Sequence, residues 1–376
     1  MNPTALSLGS SHSFVVDSNG AMWSFGSNVD GQLGTPEVRE MHKPQNAPKM
    51  DKVRVVSCGS HHTVVLDASD KVWCFGNGGD GRLGNNNISV QPQPMRLDGL
   101  ENVRSISAGW RHSAVVDGRG ILWVFGCNSN GQLGLGDMLN RGTPTLVMEI
   151  DRAYQVSCGG KHTAVVDCFG NLWTFGDNFQ GQLGVPDWEV HRKPVWVSHV
   201  PNCRFVSAGW EHTAAINAQN DLYTFGSNDH GQLGISDESV NIPSKFTPTK
   251  VLSNIKTVSS GGNHTIAIDF DGNAYACGSN LEGQCGLPEA KIYRTFTKIE
   301  SLPPADDVVC NQSSLVVDKA GKVWGFGANV SGELGPNLSE FNKKGAVIPK
   351  NPEVIENIQL YLPYTRVKSS RNVYRR

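Results

Sequence analysis

Short apolar runs broken by glycine recur along the chain. Val103-Arg104-Ser105-Ile106-Ser107 alternates apolar and polar residues, as a half-buried strand does. Ser113 to Asp117 is a second, largely apolar strand, and Ile121 to Phe125 is its returning partner. The turn Asp117-Gly118-Arg119-Gly120 joins them, with Gly120 at the position that needs a positive φ. The equivalents of Gly120 are Gly20, Asp70, Gly170, Asn220, Gly272 and Gly321, all residue types that tolerate that conformation. Gly126 to Gly134 form a tight corner. A proline-led segment, Thr143 to Val147, follows it and reads as an edge strand, where the missing donor is harmless. Each unit therefore holds four short strands and no helical pattern.

The unit repeats seven times. Gly-x-Leu-Gly begins at Gly31, Gly81, Gly131, Gly181, Gly231, Gly283 (with Cys285 for Leu) and Gly332, at intervals of 50, 50, 50, 50, 52 and 49 residues. An aromatic-Gly phrase runs in step, from Phe25-Gly26 to Phe326-Gly327, with Cys277 replacing the aromatic once. A third phrase, Gly-x-x-His, carries His12, His62, His112, His162, His212 and His264. The seventh copy reads Cys310-Asn311-Gln312-Ser313. Seven four-stranded units of this length predict an all-β fold, a seven-bladed β-propeller, over a solenoid. The chain opens within a unit at Ala5 to Gly9, and a proline-led segment from Pro349 to Ile355 follows the last corner. This predicts a ring closed by the N- and C-terminal segments, which leaves no open edge to cap. One propeller domain over residues 1–365 and a basic tail over 366–376 are expected.

Composition narrows the classes. The 42 glycines among 376 residues exceed the ~7% average, and charged residues at 18% fall below the usual ~25%, as a turn-rich sheet protein requires. Lys+Arg 33 against Asp+Glu 35 disfavours a nucleic-acid binder, so no DNA partner is expected. No apolar run reaches the ~20 residues of a membrane helix, and Met1 to Gly20 lacks signal-peptide features. The expected setting is intracellular, cytoplasmic or nuclear, for a monomer that is not secreted. The nine cysteines, Cys58 and Cys158 among them, read as reduced, small core residues.

No nucleophile elbow, phosphate loop or zinc-binding pair is present, so neither catalytic residues nor a cofactor nor a metal site is expected. The six recurring histidines read as ties within their own blades, and Trp23, Trp73, Trp123, Trp173 and Trp324 as core packing. The side chains that break the period lie between the opening Gly and the His. They include His61, Trp110, Arg111, Lys161, Trp210, Glu211 and Asn263. A constant backbone with varied side chains suits a rim that binds a partner protein, and Trp and Arg are the types enriched at interaction hot spots. Trp188, Trp196 and Phe246, in or near the proline-led segments, mark a second candidate surface on the outer rim.

Gly-x-x-His-Ser/Thr, an apolar strand, Asp-x-x-Gly and Trp/Tyr-x-Phe-Gly-x-Asn-x-x-Gly-Gln-Leu-Gly together resemble the repeat of the regulator of chromosome condensation family over nearly the whole chain. The resemblance implies the propeller and, as an alternative function, guanine-nucleotide exchange on a small GTPase. His61 matches the family's histidine-bearing pattern at the exchange face. The acidic positions do not match, because Glu211 is the sole acid among the fourteen inter-motif positions. Near-constant spacing leaves little room for the inserted wedge of the family's Ran exchange factor, and a basic N-terminal arm is not expected. The family's plant ultraviolet-B photoreceptor carries Gly-Trp-Arg-His in consecutive blades, whereas here Trp110 and Trp210 stand two blades apart. A partner-binding propeller without catalysis is the leading expectation.

Overall fold

The computed structural model describes residues 6–17, 19–36, 38–47, 50, 52–235 and 242–335, together with the backbone of 353–359. The tail 366–376 lies outside the described residues, as does the start of the final proline-led segment. Each blade is an antiparallel sheet of four strands consecutive in sequence. The first comprises β1 (Leu6–Leu8), β2 (His12–Val16), β3 (Met22–Ser27) and β4 (Glu40–Asn46). The second comprises β5 (Val53–Cys58), β6 (His62–Asp67), β7 (Val72–Gly76) and β8 (Gln91–Leu97). The third comprises β9 (Val103–Ala108), β10 (His112–Asp117), β11 (Leu122–Gly126) and β12 (Arg141–Val147). Blade four holds β13 (Ala153–Cys158), β14 (His162–Asp167), β15 (Leu172–Gly176) and β16 (His191–Trp196). Blade five holds β17 (Cys203–Ala208), β18 (His212–Asn217), β19 (Leu222–Ser227) and β20 (Ser244–Leu252). Blade six holds β21 (Ile255–Ser260), β22 (His264–Asp269), β23 (Ala274–Ser279) and β24 (Ile292–Lys298). Blade seven holds β25 (Ala305–Cys310), β26 (Ser313–Asp318), β27 (Lys322–Gly327) and β28 (Glu353–Gln359). The one helical element among the described residues is a 3-10 turn, Gly79–Gly81.

The turn between the second and third strands follows the sequence expectation in every blade. Gly20, Asp70, Gly120, Gly170, Asn220, Gly272 and Gly321 all have positive φ, from 59° at Asp70 to 96° at Gly272. The Asp that opens the turn fixes it from within: Asp67 Oδ1 accepts the N–H groups of Ser69 and Lys71, and Oδ2 accepts the Trp73 indole N–H at 2.8 Å. The same arrangement joins Asp167 to Trp173 and Asp318 to Trp324. Trp73, Trp173 and Trp324 thus pack against the core and staple the turn with the indole N–H.

The core is divided among the seams between blades. Each apolar cluster takes side chains from two neighbouring sheets, as where Val64, Leu66 and Cys74 of blade two meet Val103, Ile106 and Phe125 of blade three. The seventh such cluster joins Leu6, Leu8 and Phe25 to Leu315, Val317 and Leu334, so blade seven packs on blade one and the ring is closed. The corner of blade seven also rests on the outer strand of blade one: an added Cβ at Gly332 would lie 3.1 Å from His42 Cα. The two chain ends do not share a sheet, however. The N-terminal β1 is the inner strand of blade one, and the C-terminal β28 is the outer strand of blade seven. Closure therefore comes from face-to-face packing of blade seven on blade one, not from a sheet shared by the two terminal segments.

One blade departs from the pattern and compensates for it. Where the other six have a buried Phe, blade six has Cys277. Phe296 of β24 fills the space, lying against Gly234 as Phe175 lies against Gly134 and Phe225 against Gly184. In blades one to five the outer-strand position of Phe296 is proline (Pro44, Pro94, Pro144, Pro194 and Pro248). The large ring has moved from the third strand to the fourth.

Candidate functional site

The Gly-x-x-His loop of blades one to six, and Cys310 to Ser313 of blade seven, join the first strand to the second, and the glycine-rich corner follows the third strand. In an antiparallel sheet both connections fall on one edge, so all seven loops and all seven corners share one face of the ring. The Asp turns and the links between blades occupy the opposite face.

The six histidines build this face from below. Each is buried, and its Nε2 lies 2.8–3.0 Å from a hydroxyl of the next blade: His12 with Thr63, His62 with Ser113, His112 with Thr163, His162 with Thr213, His212 with Thr265, and His264 with Ser314. Those hydroxyls spend their hydrogens on carbonyls of the preceding blade's corner, as Thr213 does on Gln182 at 2.8 Å. Each hydroxyl must then accept from an Nε2–H, which sets the tautomer of the neutral ring. Burial takes His12, His112, His162, His212 and His264 down to about 3, and His62 well below its usual 6.5. The histidines therefore link one blade to the next, which corrects the expectation of a tie within each blade. The reason is geometric: the loop ends at the inner edge of its sheet, where the nearest hydroxyl belongs to the neighbouring blade. A serine ladder runs beside them, with Ser7, Ser57, Ser107, Ser157, Ser207 and Ser259 each accepting a backbone N–H from the next inner strand at 2.8–2.9 Å. Among the described residues, no three His, Cys, Asp or Glu side chains converge as metal ligands would.

On this platform stand the residues singled out from the sequence. Trp110 and Trp210 come together although two blades separate them. Their rings are parallel to within 2°, with centroids 6.0 Å apart. The intervening blade makes this possible by presenting glycine: an added Cβ at Gly160 would sit 2.6 Å from the Trp210 carbonyl oxygen. The Trp210 indole lies over Gly262 of blade six, and Trp110 is 43% exposed. The loop backbones of blades two to six are each pinned to the next blade, with Trp110 N–H donating to Gly159 and Trp210 N–H to Gly261, each at 3.2 Å.

The remaining candidates divide. His61 Nδ1 lies 3.0 Å from Ser60 Oγ, and that hydroxyl donates to the Trp110 carbonyl, so His61 and Trp110 are neighbours across the seam of blades two and three. Arg111 is exposed and pairs with Asp80 of the blade-two corner at 2.6 Å. Lys161, Glu211 and Asn263 are half-buried in their loops, with Lys161 on the blade between the two tryptophans. Asp80 escaped the reading of the sequence. It also accepts from the buried Arg82 at 3.1 Å and from Asn140 at 3.2 Å, and so fixes the corner that holds Arg111. The available signal was Arg82 itself, which stands where most corners carry Gln.

Two family profiles match the chain, both described as the regulator of chromosome condensation (RCC1) repeat. One covers residues 19–66, 69–116, 119–166, 170–216 and 219–268, and the other 4–32, 53–82, 103–132, 203–232 and 255–284. The secretion-regulating guanine nucleotide exchange factor of Mus musculus is 30% identical over 101 residues, 26% of this chain and 22% of that protein. The regulator of chromosome condensation of Homo sapiens is 33% identical over 106 residues, 27% of this chain and 25% of that protein. The aligned stretches thus span a quarter or less of those relatives. Among solved structures, Prp20p from Saccharomyces cerevisiae superposes with a TM-score of 0.78 at 21% identity, covering 90% of this chain and 86% of that one. Human WBSCR16 gives 0.74 at 22% identity, covering 83% and 85%. At these identities the structural likeness concerns the fold.

Proposed function

We propose, from the premise that the chain belongs to the regulator of chromosome condensation repeat family, that it is a non-catalytic interaction propeller. In this reading it binds a partner protein through the Gly-x-x-His face. The observation that carries the reading is the parallel Trp110–Trp210 pair. Two large apolar rings are held at the surface by a loop backbone that is hydrogen-bonded to the next blade at each step. Rigid aromatic anchors lose little conformational freedom on binding. His61, Arg111, Lys161, Glu211 and Asn263 surround them as the polar rim. No covalent step, cofactor or metal is involved. The chain acts as an intracellular monomer, in the cytoplasm or the nucleus.

The second reading is guanine-nucleotide exchange on a small GTPase. It is supported by the partial match to the secretion-regulating guanine nucleotide exchange factor, and by the fold shared with Prp20p, a protein with binding properties toward Gsp1p and histones. Exchange would arise from tighter binding to the nucleotide-free GTPase, with His61 and Glu211 at the contact. A nucleotide-release assay over a panel of small GTPases separates the two. The interaction reading expects no acceleration with any of them. Acceleration that His61→Ala and Glu211→Ala abolish would establish exchange instead.

A further inference from the structure

The outer edge of blade four carries a feature that the Gly-x-x-His face does not use. Six large aromatic side chains are exposed among the described residues: Trp110, Phe169, Phe179, Trp188, Trp196 and Phe270. Two of them, Trp188 and Trp196, flank the outer strand of this blade, while Phe179 stands in its corner on the Gly-x-x-His face and Phe169 in its Asp turn on the opposite face. Trp188 is 67% exposed at the end of the corner loop, and Trp196 is 57% exposed at the far end of β16. Trp188 meets Phe246 of β20 edge-to-face, with centroids 4.9 Å apart, across the seam to blade five.

The loop that presents Trp188 is fixed on both sides of it. Asp187 Oδ1 accepts from Asn178 Nδ2 at 3.1 Å and from the Glu189 N–H at 3.1 Å, and lies 2.9 Å from His191 Nε2. Asn178 Nδ2 also donates to the Asp187 carbonyl at 2.6 Å. A large apolar ring held in this way, in water, is costly unless something covers it.

Charge indicates what covers it. The outer strands β8, β12, β16, β20 and β24 carry Arg96, Arg141, Arg192, Lys193, Lys245, Lys250, Arg294 and Lys298, and no Asp or Glu, in a chain whose net charge is −2. Four of these cations lie on β16 and β20, beside the aromatic rings. Lys193 pairs with Glu149 at 3.2 Å and Lys250 with Asp221 at 2.8 Å. Arg192 and Lys245 have no ion-pair partner among the described residues. The free backbone edge of β16 is interrupted by Pro194, which offers no donor, so recognition falls to side chains and not to an added strand.

We propose that this edge is a second docking surface, independent of the Gly-x-x-His face, for an acidic extended segment of a partner protein. An apolar side chain of that segment would rest against Trp188 and Phe246. Its carboxylates would face Arg192 and Lys245, and about six extended residues, at ~3.3 Å each, would reach Trp196.

The test is selection of a random 12-residue display library on the full chain, followed by fluorescence anisotropy of the selected peptide. Expected are peptides rich in Asp and Glu around an apolar anchor. Their affinity should fall at least tenfold with Trp188→Ala/Trp196→Ala and with Arg192→Glu/Lys245→Glu. It should rise with Glu189→Lys and stay unchanged with Trp110→Ala/Trp210→Ala. Circular dichroism melting of each variant distinguishes lost binding from lost fold. An empty selection, basic or neutral consensus peptides, or binding that survives both edge variants would overturn the proposal. So would binding lost only with Trp110→Ala/Trp210→Ala, which would leave the reading of the other face standing. A labelled twelve-residue oligo-dT that binds this edge where no peptide does would replace the acidic segment with nucleic acid.

Discussion

Lowering the pH tests the histidine ring as a whole. Six buried neutral imidazoles hold successive blades together, five of them brought to about 3 and His62 well below 6.5 by burial. As pH falls below 6.5 the unfolded chain takes up protons on these rings and the folded chain does not. Folding stability is complete above that pH and is lost below it. Each such ring contributes about 1.4 kcal/mol per pH unit. Glu333 works in the opposite sense: burial raises its carboxyl to about 7, so the folded state gains a proton first as pH falls. The net uptake by the unfolded chain is about five protons, or roughly 7 kcal/mol per pH unit. Allowing for partial titration at both ends, the propeller loses roughly 6 kcal/mol between pH 7.5 and 5.5, a large part of a typical domain's 5–15 kcal/mol. Urea unfolding followed by tryptophan fluorescence at pH 7.5, 6.5 and 5.5 measures this directly. A stability that changes by less than about 1 kcal/mol over that range would mean that the rings are not buried and neutral.

Three further outcomes follow from the repeat. Glu333 stands where most corners have Gln, and Glu333→Gln should stabilise the fold by about 3 kcal/mol at pH 8 and by almost nothing at pH 4.5, seen as a pH-dependent shift in urea midpoint. Phe296→Ala should cost about 3 kcal/mol, and Cys277→Phe alone about 1–3 kcal/mol by overpacking, whereas Cys277→Phe with Phe296→Pro restores the arrangement of the other blades and melts closer to wild type than either. The seam between blades seven and one should open first: Val309 interrupts the serine ladder, Ser313 replaces the histidine, and the side-chain bonds found there are Asn311 Nδ2 to Leu8 and Ser13 Oγ to Glu333. Hydrogen exchange should be faster in β1 and β25 than in β13 and β17, and equal protection would remove this weak seam.

The local elements were legible because each depends on neighbours in sequence. The strand pattern and the positive-φ turn, present in all seven units, and the aromatic-Gly phrase, present in six, are set within a few residues. What was not legible depends on neighbours in space. Nothing within one repeat states that His162 meets a hydroxyl 51 residues onward in place of one in its own sheet. Nor does spacing alone bring Trp110 to Trp210, since the contact depends on Gly160 of an intervening blade having no side chain. The Cys277 exception was visible in the sequence, but Phe296 as its complement emerges only from the pairing of β23 with β24. Asp80 lies in a corner position whose occupants vary, and its importance comes from Arg111 and Arg82 reaching it from two blades.

The central claim is that partner binding resides in the side chains that differ from loop to loop on the Gly-x-x-His face. Quantitative affinity purification comparing the wild-type chain with Trp110→Ala/Trp210→Ala, at matched expression and melting temperature, addresses it directly. The account predicts a specific set of proteins recovered by the wild type and depleted at least tenfold in the double variant. An identical set at equal abundance from both would contradict it.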